Sequence, residues 1–180
     1  MNLATTETLD GSYRIMPKPE RVRMFRLIFG AGGASVILIG ALFVVISIVS
    51  STTPAVLRYI GLLAVVMGVA EAVIVPKLLI PAGIIGDAMS VRYAATIGSH
   101  SVPRADLALI FRGLTWVRGR YGGGSWEPSY VFGRQDGTVA FSALGMWFSE
   151  DRVSDFAQGL GVPMRGDFSV QVRDRVEPSR

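Results

Sequence analysis

Two apolar stretches decide the fold: LIFGAGGASVILIGALFVVISIV at residues 27–49 and VLRYIGLLAVVMGVAEAVIVPKLL at residues 56–79. An α-helix rises about 1.5 Å per residue, so about 20 apolar residues cross a hydrocarbon core of roughly 30 Å. Both stretches have that length, and only the polar segment SSTTPA separates them. The sequence therefore predicts a two-helix transmembrane hairpin over residues 24–80, preceded by an N-terminal segment of residues 1–23.

Basic residues flank the outer ends of this hairpin and are nearly absent from its loop. They stand before the first stretch and at or after the end of the second: Arg14, Lys18, Arg21, Arg23, Arg26, Lys77 and Arg92. The loop has only Arg58 at its far edge. Positive charge in short flanks marks the cytoplasmic side, so we expect an inner (plasma) membrane protein with both termini cytoplasmic. A cleaved signal peptide is the competing interpretation, but the first stretch is longer than a typical signal core and leads directly into the second.

Small residues line one face of each predicted span. Ala64, Gly68 and Ala72 recur every four residues in the second span, and the first span is rich in glycine and alanine. Small side chains let two helix backbones come close in lipid, where helix association has no hydrophobic driving force. A tight loop would bring Ala64 near Ala41 and Ala72 near Gly33. This face serves either packing within the hairpin alone or, in addition, contact with another membrane protein.

Glu71 is an ionisable residue deep in the second stretch, where an acidic side chain costs on the order of a few kcal/mol. It lies on the same side as Gly68 and Ala72, so we expect it to point toward a protein neighbour. One interpretation is that it pairs with a basic or amide side chain on a partner subunit. The other is that it is a hydrated residue near the membrane edge. The predicted partner-binding residues in the membrane are Gly30, Gly33, Ala64, Gly68, Glu71 and Ala72.

Beyond a short connection at residues 80–87, the pattern changes to runs of β-forming residues. The predicted strands are residues 90–97, 106–111, 115–117, 130–132 and 138–142. Asp136-Gly137 predicts a hairpin turn between the last two. Ser149 predicts a helix start, and Val153, Phe156, Ala157 and Leu160 form one apolar stripe. We therefore expect an α+β membrane protein, with a small antiparallel β domain over residues 88–162 closed by one C-terminal helix and followed by a tail of residues 163–180.

The order of these segments resembles a known family. A membrane hairpin precedes VRY at residues 91–93, SVPRADLALI at residues 101–110, DGTVAF at residues 136–141 and the closing helix. This order resembles bacterial two-span membrane proteins, of actinobacterial type, that have a pleckstrin-homology-like (PH-like) cytoplasmic domain. The resemblance covers roughly residues 89–160 and implies a small β-barrel capped by the C-terminal helix. The predicted strands are one or two fewer than such a barrel has.

Catalytic and metal chemistry find little support in the composition. The chain has no cysteine and one histidine, His100, whereas zinc and haem sites usually need several nitrogen or sulfur ligands. His100 lies in the segment GSHS, which predicts an exposed turn. Ser142 and Ser149 have no histidine close in sequence, and the GGGS segment at residues 122–125 lacks the lysine of a phosphate-binding loop. We expect a protein without enzymatic activity and without a cofactor.

Arginine and aromatic residues alternate in the segment RGLTWVRGRYGGGSW at residues 112–126. The predicted lipid-headgroup or partner surface comprises Arg112, Trp116, Arg118, Arg120 and Trp126. This composition suits nucleic acid as well as anionic lipid, but the short connection to the membrane makes the inner leaflet the nearer source of phosphate, so we expect no nucleic acid. An exposed β-hairpin with solvated arginines is the alternative.

These features favour a non-enzymatic accessory or scaffolding subunit of a larger inner-membrane envelope complex. Its partners would be other membrane-protein subunits and inner-leaflet lipid. The arginine-rich, lysine-poor composition resembles actinobacterial proteins, and small hairpin subunits of this kind look like auxiliary parts of lipid importers of the mammalian-cell-entry type. Lipid transport is therefore the first system in which we expect the protein. The alternative is a membrane-tethered module that binds anionic lipid headgroups by itself.

Overall fold

A computed structural model describes residues 6–7, 12–50, 54–95, 99–118 and 123–172. The chain divides into two compact units. One unit is Pro19–Ile80, and the other combines the segments on both sides of it, Met1–Lys18 and Pro81–Arg180. The protein is thus an α+β chain with a helical unit and a sheet unit.

The helical unit contains two helices that are long and apolar enough to cross a membrane. Helix α1 spans Pro19–Val49. The second long helix comprises α2 (Ala55–Val69), a π-helical turn (Ala70–Ile74) and α3 (Val75–Leu79). Large aliphatic side chains are exposed along both helices, including Leu38, Leu42, Ile48, Leu63 and Val66. Such a surface suits hydrocarbon and not water.

Two pairs of glycines bring the backbones of α1 and α2 into contact. A Cβ atom added to Gly40 would lie 2.6 Å from the Gly61 carbonyl oxygen, and one added to Gly68 would lie 2.6 Å from the Gly33 carbonyl oxygen. All four glycines are buried. Because real Cβ atoms do not approach a backbone oxygen this closely, only glycine permits this helix spacing.

Two alanines also face α1. Ala72 lies against Gly33, with its Cβ 2.7 Å from a Cβ atom built on that glycine, which confirms the predicted proximity of the two residues. Ala64 lies against Gly40, with a corresponding distance of 3.0 Å, whereas Ala41 is exposed. The predicted pairing of Ala64 with Ala41 was therefore one residue off, because loop length alone does not determine the rotation of each helix about its axis.

The first sheet has five strands, and each neighbouring pair is antiparallel. In order these are β1 (Thr6–Glu7), β2 (Tyr13–Ile15), β3 (Gly83–Gly86), β4 (Ser90–Ala94) and β5 (His100–Pro103). The helical unit lies between β2 and β3 in sequence. The sequence predicts a β domain that begins at residue 88, and the structure differs because three strands precede that boundary. His100 is exposed, but it begins a strand and is not in a turn.

The second sheet has the order β8-β7-β6-β9. Its strands are β6 (Leu107–Arg118), β7 (Gly124–Arg134), β8 (Val139–Leu144) and β9 (Met164–Val172). Strand β6 joins two segments predicted as separate strands, and Gly113 lies within it. Glycine fits this position because a Cβ atom there would come 2.7 Å from Val172 Cγ2. Strand β9 lies in the predicted tail and pairs with β6 in parallel, so the domain is not purely antiparallel.

Helix α4 (Glu150–Gly159) closes the sheet unit, as the apolar stripe predicts. Val153, Phe156 and Leu160 are all buried. The chain leaves the helix at Gly161, whose φ of +67° favours glycine. Ser149 stands at the predicted N-cap position, but its side chain makes no capping hydrogen bond.

The core of the sheet unit lies between the two sheets and α4. Phe132 and Phe141 stack with ring centroids 4.3 Å apart, and Tyr93 of the first sheet stacks on Phe141 at 5.9 Å. Helix α4 packs against β3, as the short distance of 2.9 Å between Phe156 Cζ and a Cβ atom built on Gly86 shows. Ile15 of β2 is also buried, so the core includes strands from both sides of the helical insertion.

Candidate functional site

The π-helical turn contains Glu71. Within this turn the Val75 backbone N–H donates to the Ala70 carbonyl oxygen, which is five residues earlier instead of four. Pro76 stands two residues after the end of this turn and is buried. Proline has no N–H and its ring collides with the carbonyl four residues earlier in a regular α-helix, so a widened turn just before it relieves the collision. Although proline commonly ends or kinks a helix, this helix continues past Pro76 to Leu79.

The Glu71 carboxylate lies beside Gly32 of α1. A Cβ atom added to Gly32 would lie 3.0 Å from Glu71 Oε1, and Glu71 is half-buried. In the described part of the chain, no hydrogen bond or ion pair reaches this carboxylate. Gly32 is not among the predicted site residues, although its place one residue before Gly33 could have suggested it. Glu71 therefore faces a protein neighbour, and that neighbour is its own first helix.

The other predicted residues in the membrane divide into two groups. Gly33, Ala64, Gly68 and Ala72 lie in the contact between the two helices. Gly30 lies outside that contact, since a Cβ atom built on it would have no atom within 4 Å. Packing within the hairpin accounts for the first group, which leaves Glu71 and Gly30 as the positions open to another molecule.

Arg112 links strand β6 to helix α4 through an ion pair between its Nη1 and Glu150 Oε1. Its Nε is buried and has no hydrogen-bond partner among the described residues. Hydrogen bonds from Ser169 lower the pKa of Asp167, and the positive charge of Arg112 adds to this effect. The ion pair engages Arg112 within the domain, and Glu150 is a partner that the sequence pattern does not reveal. Arg112 is therefore removed from the predicted headgroup surface.

Burial raises the pKa of Tyr130 to about 12, and the nearby Glu150 carboxylate adds to the effect. Tyr130 stands directly opposite Arg112 on β7, and it is almost completely buried. Its ring meets that of Phe168 edge to face, with centroids 5.5 Å apart. The phenol is thus kept neutral by the core, which is a structural role.

Trp116 and Trp126 face each other across strands β6 and β7. Their rings meet edge to face with centroids 5.4 Å apart, and Trp116 is 54% exposed. A Cβ atom on Gly124 would lie 2.6 Å from the Trp116 ring, so this glycine makes room for the indole. Arg118 is directly opposite Gly124 and is exposed. We call Trp116, Arg118, Gly124 and Trp126 the aromatic tip.

The residues of the aromatic tip lie on the same face of the sheet as the core, at the end of β6 and β7 where that face is exposed to solvent. Residues two apart on a strand share a face, so Arg112, Trp116 and Arg118 lie on the same side of β6 as the buried Ile110. Arg120, the remaining predicted residue of this surface, lies outside the described residues. Indole rings favour the interface between lipid and water, and arginine binds phosphate, so the aromatic tip has the chemistry of a membrane-surface contact.

Within the described ranges, no group of three or more His, Asp or Glu side chains is arranged to hold a metal ion. No protein-family model matches this chain, and no curated protein or solved structure matches it significantly. The fold defines a class all the same: an α+β protein in which two helices able to span a membrane interrupt a β-sheet domain.

Proposed function

We propose that this protein is a non-enzymatic accessory or scaffolding subunit of a larger inner-membrane complex. The observation that carries the proposal is the pairing of β2 with β3, in which Ile15 stands opposite Ile84. The whole helical hairpin lies between these two residues in sequence. The membrane segment is therefore an insertion into the sheet domain and not an appendage at one end of it.

This pairing supports the proposed topology. Two hydrogen-bonded strands must lie on the same side of a membrane, so the chain crosses it an even number of times between Ile15 and Ile84. Two helices of sufficient length lie in that interval. The basic residues at the outer ends of the hairpin favour the cytoplasm as the common side.

The two links between sheet and helices are short and held by hydrogen bonds to the sheet unit. Residues 16–18 join β2 to α1, and residues 80–82 join α3 to β3. The Lys18 N–H donates to the Trp147 carbonyl oxygen at 2.7 Å, and the Ala82 N–H donates to the Ala94 carbonyl oxygen at 2.7 Å. The sheet unit is therefore joined to the helical unit at two points of the chain and not at one. Such an attachment suits a subunit that couples a membrane partner to a cytoplasmic one.

The strand arrangement supports assignment of the sheet unit to the PH-like class. Strands β2 to β5 form one antiparallel series and β6 to β8 a second, with α4 packed against the first. Strands β2, β3 and β5 are not among the strands predicted from sequence, and each adds to the number available for a barrel of that class. The arginine-rich, lysine-poor composition and the likeness of the hairpin to auxiliary parts of lipid importers are the grounds on which we place the complex in the cell envelope, with lipid transport as its proposed process.

A second candidate function is binding of anionic lipid headgroups, which the exposure of Trp116 favours. A large indole in solvent, next to Arg118, suits insertion at the level of lipid phosphates. Because Arg112 is engaged by Glu150, this surface is smaller than the sequence predicts and comprises only the aromatic tip among the described residues.

The subunit proposal is tested by isolating the tagged full-length protein from its native membrane in mild detergent. We expect other membrane proteins to accompany it in fixed proportion. Recovery of the protein alone, as a monomer or as copies of itself, would contradict the proposal and favour the lipid-binding function.

A further inference from the structure

We propose that Glu71 is the acceptor of an intramembrane ion pair with an arginine or lysine on a transmembrane helix of a different protein. This inference rests on the proposed function, since it names the chemistry by which the hairpin would recognise its partner.

The helix register sets the depth of Glu71. Gly33 lies against Gly68 and Ala72, so continuation of the antiparallel register brings Arg26 to the level of Lys77. Glu71 precedes Lys77 by six residues, which corresponds to about 9 Å along a helix. The carboxylate thus lies well inside the level of the basic residues, in a layer of roughly 30 Å that is apolar.

An ionised carboxylate at this depth requires compensation, because hydrocarbon solvates charge poorly. The described hairpin supplies none, since no hydrogen bond or ion pair reaches Glu71. Side chains six residues apart on a helix lie on different faces, so Lys77 is poorly placed to pair with it in the same helix. The compensating group must come from water, from a proton or from another molecule.

The two helices of the hairpin cover the Glu71 side chain only in part. Gly32 has no side chain, so the carboxylate lies on the surface of α1 and stays half-exposed at the flank of the helix contact. Val73 and Ile74, which follow in the π-helical turn, are 49% and 51% exposed and apolar. A polar acceptor surrounded by an apolar surface suits a helix that presents one basic side chain among apolar ones.

A second copy of this chain does not match that requirement. Between Arg26 and Lys77 the only basic residue is Arg58, which stands near the loop at the other end of the hairpin. An identical hairpin in the same orientation therefore presents no cation at the depth of Glu71. The partner that fits is a different membrane protein with a basic residue in the cytoplasmic half of a span, and a guanidinium would add two parallel hydrogen bonds to the carboxylate.

The test compares partner recovery from native membranes for the wild type, Glu71→Gln and Glu71→Asp, with Glu127→Gln as the matched control outside the hairpin. We expect Glu71→Gln to lower recovery of the partner about tenfold, which is the scale of one intramembrane polar contact. Glu71→Asp should retain most of the recovery, and Glu127→Gln all of it. Equal recovery with the wild type and Glu71→Gln would overturn the inference and leave the subunit proposal intact. Absence of any partner with the wild type would instead remove the subunit proposal itself.

A second measurement needs no variant. A membrane-permeable carbodiimide modifies carboxylates in apolar surroundings, and its reaction with Glu71 can be followed by mass spectrometry on wild-type protein. We expect Glu71 to be modified in the isolated protein and protected at least severalfold in the native complex. Equal modification in both states would show that no partner covers the carboxylate, and it would overturn the inference even if the Gln variant failed to fold.

Discussion

Ile15 and Ile84 stand opposite each other on neighbouring antiparallel strands, although the whole helical hairpin separates them in sequence. Both side chains are buried, at 1% and 0% exposure. The sheet domain is therefore closed by a segment that precedes the two long apolar helices. A fragment that begins at residue 88 would lack β1, β2 and β3, so experiments on this protein require the full chain.

Replacement of Ile15 by alanine should destabilise the sheet unit. Loss of a fully buried isoleucine side chain removes apolar burial and leaves a cavity, which costs about 2–5 kcal/mol. The measurement is denaturant unfolding of the full chain in detergent, followed through the fluorescence of the buried Trp147. Arg14→Ala, at an exposed neighbouring position, is the control and should change stability little. Equal stability of both variants would mean that β2 does not belong to the core.

Replacement of Gly40 by valine should separate the two helices. Its side chain would meet the Gly61 carbonyl oxygen, and overpacking of this kind costs at least about 2 kcal/mol. Thermal loss of helical circular dichroism in detergent should occur at lower temperature than in the wild type. Gly30→Val is the matched control, because a Cβ atom there meets nothing within 4 Å. If both variants melted together with the wild type, the glycine contact would not define the hairpin.

Arg112→Met should cost stability without affecting lipid binding. The pair with Glu150 is partly exposed, with side chains at 32% and 50%, so solvent screening limits its contribution to about 1 kcal/mol or less. Denaturant unfolding measures the change in stability. Lipid binding is measured by the difference in tryptophan emission wavelength between zwitterionic and anionic vesicles. A lost lipid response in Arg112→Met would contradict the role assigned to this ion pair.

The aromatic tip should respond to anionic lipid. In vesicles that contain anionic lipid, the tryptophan emission of the full chain should shift to shorter wavelength than in zwitterionic vesicles, and added salt should reverse the shift. Trp116→Phe and Arg118→Gln should each reduce this difference. Identical emission in both vesicle types would exclude headgroup binding by the tip.

Tyr130 should make the sheet unit sensitive to alkali. Its pKa is raised from 10.0 to about 12 in the fold, mainly by burial. Unfolding therefore releases a proton between these values, and stability that is complete below pH 10 falls as the pH rises toward 12. Denaturant midpoints measured across this range should fall more steeply for the wild type than for Tyr130→Phe. Parallel profiles would show that Tyr130 titrates normally.

Features that depend on local pattern could be predicted from the sequence. The two helices follow from length and apolar composition, and α4 follows from the stripe that includes Val153 and Phe156. The turn at Asp136-Gly137 also agrees with the structure, since Gly137 has a φ of +80°. In each case the residues that interact are close together in the chain.

Features that depend on pairing between distant segments of the chain could not be predicted from the sequence. Strands β2 and β3 have three and four residues, and each finds its partner only across the helical insertion. Strand β9 follows α4 and pairs in parallel with β6, so no hairpin turn in the sequence indicates this pairing. At the candidate sites, the pattern of Arg112 and Trp116 is visible in the sequence, but the engagement of Arg112 by Glu150 depends on where α4 packs.

The central claim is that the membrane hairpin interrupts one sheet, so that both of its ends lie on the same side of the membrane. The native chain has no cysteine, and Arg14 stands opposite Ile85 on β2 and β3. The most direct measurement is disulfide formation in the Arg14→Cys/Ile85→Cys variant in its native membrane, read from the change in gel mobility without reductant. We expect an intramolecular disulfide in most molecules, and none when Arg14→Cys is combined with Ser169→Cys. Two free thiols in Arg14→Cys/Ile85→Cys, each open to maleimide under the same oxidation, would contradict the claim.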